Sequence, residues 1–491
     1  MAKLIRPSLT DVLFKKGLLT KKDVEEAKEH HRGNGDNFAE TLIKMGLLTE
    51  QEVVQGLAGQ LGIPYLKLTN YKLDPKVKEH EEVDLRHLVK QTEEASIIRI
   101  VNLILSRAIR ERASDIHLEP SEKELWIRYR IDGVLYRVTA VAKTLQSPIV
   151  SRIKILSELN IAEHRLPQDG RFKVKVSDRE IDFRVSTIPT RFGEKVALRV
   201  LDKVQLTGLT LDKLGLEENI LEKYRRAISQ PCGMIVLTGP TSCGKSTSLY
   251  AAIRAINSPE KNILTIEDPV EYEIKGVSQG QIHEKVGLTF PKALRALLRQ
   301  DPDIIMLGEM RDTETADIGI KASLTGHLLF TTLHTNDAPG AVTRLINMGV
   351  EPYLVSDALL FVGAQRLMRR VCPHCCQAYQ PSPKLLKELG IEDKVNEDVV
   401  FYKAKGCSVC KNTGYKGRIA VMEVLEMNDE IRELILRKAS EAEIRKAALA
   451  KGMIPLRQNA LAKVIRGKTT LEELARIAGT IDSHDEKENK D

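Results

Sequence analysis

One segment, Gly239-Pro240-Thr241-Ser242-Cys243-Gly244-Lys245-Ser246, fits the pattern GxxxxGK[ST]. A loop of this kind turns successive backbone N–H groups toward one point and delivers the N-terminus of a helix to the same place, so it binds phosphate. The flanking residues suit it. The apolar run Met234-Ile235-Val236-Leu237 predicts a buried strand leading in, and Leu249, Ala252, Ile253 and Ile256 share one face of a helix leading out. In that setting a plain glycine-rich turn is a poor explanation. Lys245 is expected to neutralise phosphate charge and Ser246 to ligate Mg²⁺, with Thr247 helping to cap the helix.

A phosphate loop also needs an acid at the end of a neighbouring strand, to hold the metal and activate water. Glu267-Asp268 follows the apolar run 263–266, and Glu309 follows the run 304–307 after Gly308. Acids at the carboxyl ends of parallel strands share one edge with the loop; a solvated loop acid is the plainer alternative for either one alone. His327 and His334 bracket a further run, 328–332. They could sense or polarise a γ-phosphate, or they could be packing and capping residues; spacing alone leaves both open. Arg171, Arg184 and Arg199 lie in strand-like segments. Arg184 and Arg199 alternate with apolar neighbours, so both are expected on the polar face of a sheet. That face could simply be solvated, or the arginines could be supplied to phosphate bound by a neighbouring subunit. Cys372-x-x-Cys375 and Cys407-x-x-Cys410 stand 31 residues apart. Two such knuckles can close a tetrahedral four-thiolate zinc site, which would be structural because no position stays open. Cys376 reads as a spare.

The elements that must position these residues divide the 491-residue chain. Residues 1–69 contain an internal repeat: Leu13-Phe14-Lys15-Lys16-Gly17-Leu18-Leu19-Thr20 returns as Leu42-Ile43-Lys44-Met45-Gly46-Leu47-Leu48-Thr49. Each copy reads as a helix ended by Gly and a second helix capped by Thr, which makes a small helical domain. Residues 70–91 read as a charged linker. Residues 92–205 read as an α+β domain: an amphipathic helix through Ile97, Ile100, Val101, Ile104, Leu105 and Ile109, a hairpin turning at Asp132-Gly133, then strands at 172–176, 181–187 and 195–201. From 206 to 480, short apolar runs alternate with helical segments, the pattern of a parallel sheet covered on both faces, with the cysteine element at 370–415 inside it and helices from about 428. The polar end, 481–491, is expected to be disordered. No uncharged apolar run approaches the length of a membrane span, and the first residues do not resemble a secretory signal, which gives a cytoplasmic expectation. The net charge of +7 is modest for this length. Only 4% of residues are aromatic, and no basic run is interleaved with aromatics, so no nucleic-acid partner is expected.

Taken together, eight segments resemble one family: ASDIHLEP (113–120), RYRIDGVL (128–135), RLPQDGR (165–171), GPTSCGKST (239–247), TIEDPVEYEIKGVSQ (265–279), LRQDPDIIMLGEMRD (298–312), TGHLLFTTLHTNDA (325–338) and GCSVCKNTGYKGR (406–418). The chain resembles the type II secretion and type IV pilus assembly ATPases from about residue 93 to 478. The resemblance implies an α/β, RecA-like P-loop domain with a PAS-like middle domain, a small helical N-terminal domain and a zinc-knuckle insertion. It further implies that ATP is hydrolysed with Mg²⁺, that Glu267 activates water, and that Glu309 binds Mg²⁺ through water. His327 and His334 would link nucleotide state to subunit contacts, and Arg171, Arg184 and Arg199 would reach nucleotide across an interface. The implied assembly is a homo-hexamer at the cytoplasmic face of the inner membrane, acting on a platform protein and an adaptor. The cysteine element and N-terminal domain favour assembly over retraction motors. Two departures stand out. A small α/β segment frequent before the middle domain is missing. Where some relatives carry the Arg-Leu-Gly that binds cyclic di-GMP, this chain has Ser8-Leu9-Thr10 and Asn37-Phe38-Ala39, so weak or no binding of that ligand is expected.

Overall fold

A computed structural model describes residues 93–176, 179–202, 208, 210–391 and 399–478, with Thr20, Asp23, Met45 and Leu47. The second copy of the repeat, the linker, the cyclic di-GMP positions and the C-terminal tail lie essentially outside these residues. Thr20 and Asp23 cap one another reciprocally: the Thr20 N–H donates to Asp23 Oδ2 at 2.7 Å and the Asp23 N–H to Thr20 Oγ1 at 3.3 Å. The chain forms two compact units that divide between Leu201 and Asp202, apart from the turn 132–134.

The first unit is a six-stranded sheet packed under two helices. Helix α1 (Glu93–Arg110) buries Ile100, Val101, Ile104, Leu105 and Ala108, and α2 (Gln146–Leu156) buries Ile149, Val150, Ile153 and Leu156. The strands are β1 (Asp115–Pro120), β2 (Glu124–Ile131), β3 (Val134–Ala142), β4 (Gln168–Val176), β5 (Arg179–Thr190) and β6 (Gly193–Asp202), in the order β3-β2-β1-β6-β5-β4. Leu125, Ile127 and Tyr129 alternate into the core, and the Tyr129 hydroxyl donates to the Ile104 carbonyl at 2.6 Å. The β2–β3 turn has positive φ at both central residues, 48° at Asp132 and 89° at Gly133, the geometry that matches the twist of a two-residue hairpin. The last three strands run longer than their apolar cores suggest, because ladder pairing continues through polar residues such as Gln168, which pairs with Thr187.

The second unit is built on a seven-stranded sheet: β7 (Gly233–Thr238), β8 (Ile263–Glu267), β9 (Ser278–Gln281), β10 (Ile304–Leu307), β11 (Leu328–Leu333), β12 (Leu359–Val371) and β15 (Tyr415–Glu426), in the order β15-β12-β7-β11-β10-β8-β9. All neighbours are parallel except β12 and β15. Met234 and Val236 enter one apolar core, and Ile235 and Leu237 enter the other, so β7 is buried on both faces. Helix α3 (Glu218–Ile228) precedes β7; α4 (Lys245–Ile256) follows the phosphate loop; α5 (Phe290–Leu297), α6 (Thr313–Leu324), α7 (Ala338–Asn347) and α8 (Pro352–Ala358) complete the layers around the parallel strands. Asp312 and Asp337 cap α6 and α7 through Thr315 N and Gly340 N, each at 2.8 Å. A short sheet, β13 (Cys376–Tyr379) with β14 (Phe401–Ala404), lies between the two cysteine pairs, with α9 (Pro383–Glu388) in the same stretch. The described residues end in α10 (Asp429–Leu436), α11 (Glu441–Ala450), α12 (Leu456–Ile465) and α13 (Leu471–Ala478).

Helix α13 is fixed to β12 by a buried acid. Glu473 is fully buried and accepts from the Arg369 N–H and Nε, each at 2.8 Å, and from Arg476 Nε at 2.9 Å. Burial alone would raise its carboxyl, but the Arg476 and Arg369 donors outweigh burial, and the net shift is downward. A depressed folded value means that this contribution is present above the ordinary glutamate value and is lost as pH falls through the folded one. Glu473→Gln is therefore expected to cost about 3 kcal/mol at neutral pH. The gap between wild type and variant in chemical denaturation should narrow on acidification below about pH 4; a gap independent of pH would contradict the assignment.

Candidate nucleotide and zinc sites

The phosphate loop joins β7 to α4 in a conformation its glycines make possible. Gly239 has φ 142°, and a Cβ there would lie 2.5 Å from the Gln365 carbonyl oxygen. At Gly244, φ 90°, a Cβ would lie 2.8 Å from Gln365 Nε2. The loop is thus pressed against β12. Gln365, itself buried, ties it down: Nε2 donates to the Cys243 carbonyl at 2.9 Å, and Oε1 accepts from the Ser248 hydroxyl at 2.8 Å. Lys245 donates to the Gly239 and Pro240 carbonyls at 2.7 and 3.2 Å, curled over the loop it serves. Burial lowers its pKa, and the charge of Glu309 opposes that.

Because β7, β8, β10 and β11 are parallel, their carboxyl ends lie on one edge, where the loop also sits. Glu309 follows β10 there. It pairs with Arg311 Nη2 at 2.6 Å and with His334 Nε2 at 3.5 Å, so the structure brings together two residues that the sequence singled out separately. Glu267, the last residue of β8, is turned inward and only 3% exposed, accepting from the hydroxyls of Tyr250 and Thr265 and from Gln279. Burial pushes its carboxyl up more than these donors pull it down. The loop after β11 is fastened to the phosphate loop's entrance. Thr335 N donates to Thr238 Oγ1 at 2.7 Å, and Arg366 Nη2 donates to the Asn336 carbonyl at 3.2 Å.

The two histidines stand at opposite ends of β11, His327 before it and His334 after it. The six residues of β11 at about 3.3 Å each separate His327 by roughly 20 Å from the edge that carries His334. His327 Nδ1 meets the Ala322 carbonyl at 2.8 Å, and its own carbonyl accepts from Gly233 N at 3.1 Å. The three arginines belong to the first unit. Arg171 lies directly opposite Arg184 in the β4–β5 ladder, on the face away from the stacked Phe172 and Phe183. Arg199 is exposed and donates to Asp115 at 3.2 Å. Gln365, Arg366, Tyr250 and Gln279 escaped the sequence reading. A Gln-Arg pair interrupting the apolar run 359–368 was the available signal.

The four cysteine sulfurs converge. All lie within 4.8 Å of one another, with Cys372–Cys407 at 3.9 Å, Cys375–Cys410 at 3.6 Å and Cys407–Cys410 at 3.7 Å. Four thiolates at about 2.3 Å from a tetrahedral zinc stand about 3.8 Å apart, so the set fits that ion. Cys410 Sγ also accepts the N–H groups of Cys407 and Gly414, each at 3.2 Å. Burial raises the Cys372 and Cys375 thiols, whereas at Cys410 those donors outweigh burial and lower it. Cys376 stands apart, its sulfur 3.8 Å from the Pro373 carbonyl. Elemental analysis of the purified chain should find one zinc per chain, reduced in Cys407→Ser; metal-free protein with unchanged stability would refute a zinc site.

The described residues contain no helix long and apolar enough to cross a membrane. Residues 90–476 match the family described as Type II/IV secretion system protein. The chain is 48% identical over 403 residues to the type IV pilus assembly ATPase PilB of Myxococcus xanthus, covering 82% of this chain and 71% of that one. It is 47% identical over 390 residues to the type II secretion system ATPase E of Vibrio cholerae, covering 79% and 77%. Among solved structures, the pilus retraction motor PilT with bound ADP aligns at TM-score 0.53 and 26% identity, over 78% of this chain and 97% of that one. The Legionella pneumophila ATPase DotB shares the fold at TM-score 0.56 and 22% identity, over 78% and 95%. A phosphate loop with strand-end acids on an α/β sheet, in a chain this similar to secretion and pilus ATPases, places the protein in the type II/IV secretion system protein family as an ATPase.

Proposed function

We propose that this ATPase is an assembly motor that hydrolyses MgATP to drive growth of type IV pilus or type II secretion pseudopilus fibres. The observation that carries this reading is the constellation at one sheet edge: a phosphate loop clamped by Gln365, Glu309 joined to His334, and Glu267 at the end of β8. Its resemblance to the pilus assembly and secretion ATPases supplies the direction of work.

In this reading the loop N–H groups and Lys245 bind the β- and γ-phosphates. Ser246 and Glu309 would hold Mg²⁺, which when bound would offset phosphate charge. Glu267 takes a proton from the attacking water; its raised carboxyl brings its basicity closer to working pH. Arg171 and Arg184, forced side by side, suit a phosphate brought by a neighbouring subunit, as does Arg199 once released from Asp115. The working assembly is a homo-hexamer in which the phosphate loop is competent only when a neighbour completes it. His327, at the opposite end of β11 from His334, would report nucleotide state to a subunit contact there rather than touch the γ-phosphate of its own chain. The first unit's sheet, with its first and last strands as central neighbours, suits a PAS-like domain. Inner-membrane platform and adaptor proteins are the partners, reached from the cytoplasmic face, and the zinc element marks the assembly branch.

Glu267→Gln is expected to keep ATP affinity and lose at least about a hundredfold in kcat. Near-normal turnover by the variant, measured by phosphate release, would sink the role given to Glu267. DNA should not stimulate hydrolysis; stimulation would point to a nucleic-acid motor instead.

A further inference from the structure

Glu267 is held by groups from three elements. Tyr250, fully buried on α4, donates its hydroxyl to Oε2. Thr265, also fully buried and two residues earlier on β8, donates to Oε1 at 2.6 Å. Gln279 of β9 donates to the same oxygen at 3.2 Å and also to the Tyr272 carbonyl at 3.2 Å. The Tyr250 ring is itself fixed, edge-on to Tyr272 with ring centres 4.6 Å apart, and its oxygen accepts from Glu271 N at 3.3 Å. Tyr250 lies five residues after Lys245 on the same helix, so phosphate engaged by the loop and the acid at the end of β8 are joined through one rigid element.

We propose that Tyr250, with Thr265, is a positioning residue for Glu267, through which the phosphate-loop helix sets the orientation of the acid that acts on water. This rests on the reading of Glu267 as that acid. The helix needs to move only slightly for Tyr250 to release or tighten Oε2, so phosphate occupancy and the direction of the carboxylate are coupled without a mobile lid. Both hydroxyls donate to the charged form of Glu267 and therefore oppose the effect of its burial. Other groups set the same balance. Glu271 in the following loop raises the carboxyl, and Tyr272 beside it is itself influenced by Arg254 of α4. β9 presents Gln279 to the carboxyl, and Gly308, just past β10, lies against the Glu267 backbone.

Tyr250→Phe in the full-length chain removes one donor and keeps the ring. Steady-state ATPase measured across pH should show KM for ATP within about twofold of wild type, kcat lowered several-fold, and the acid limb of the kcat profile moved up by about one pH unit. Thr265→Val, which keeps the shape, should move the limb in the same direction and guards against a Tyr250 variant that folds poorly. An acid limb that stays in place in both variants overturns the proposal, because a merely structural tyrosine would lower activity without moving it. Glu267→Gln separates the two readings. If that variant turns over ATP normally, the role of the acid falls and the positioning role with it. If it is inactive while the limb in Tyr250→Phe and Thr265→Val does not move, only the positioning role falls.

Discussion

The close approach of the phosphate loop to β12 is the constraint on which the second unit depends. At Gly239 and Gly244 the loop backbone lies so near Gln365 that no side chain fits. In exchange Gln365 satisfies the Cys243 carbonyl and anchors Ser248. An unpaired buried amide or carbonyl would cost about 1–3 kcal/mol, so the loop and β12 specify each other. The position of β12 is in turn over-determined. It lies parallel to β7, antiparallel to β15, and is fastened to α13 by Arg369 and Glu473. One residue past its end comes Cys372, the first of the four cysteines. One strand therefore connects the phosphate loop, α13 and the four-cysteine element.

Electrostatics divides the two strand-end acids. Glu309 lies with Arg311 and His334 and influences Lys245, so it belongs to the charged part of the site. Glu267 lies below, among hydroxyls and an amide, where burial favours its neutral form. Two carboxyls on one edge in different surroundings can take different roles, one facing metal and phosphate and the other exchanging a proton. Arg366 adds a second cation beside the loop, also drawn down by burial. It joins the strand that supports the loop to the segment carrying His334 to Asp337.

Much of this was legible in the sequence, because local pattern and spacing carry it. The phosphate loop between a strand and a helix, the alternation Leu125, Ile127, Tyr129, the Asp132-Gly133 turn and the cysteine spacing are all statements about near neighbours. Less legible was whatever depends on partners distant in the chain. Local pattern does not mark the segment containing β12 and β15, nor Gln365 within it, since its partners Cys243 and Ser248 lie more than a hundred residues away. His327 and His334 read as a pair because they flank one apolar run, but a strand places its ends on opposite edges of a sheet. The inward turn of Glu267 was equally hidden, because Tyr250 reaches it from a helix and Gln279 from another strand.

In the proposed motor, ATP is hydrolysed at a site that a neighbouring chain finishes. The most direct measurement is the specific ATPase rate of the full-length chain over a wide range of protein concentration, with assembly state followed in parallel by analytical ultracentrifugation. Turnover per chain should rise with the assembled fraction and fall toward background in the monomer. Turnover per chain that stays constant on dilution into monomer would contradict it.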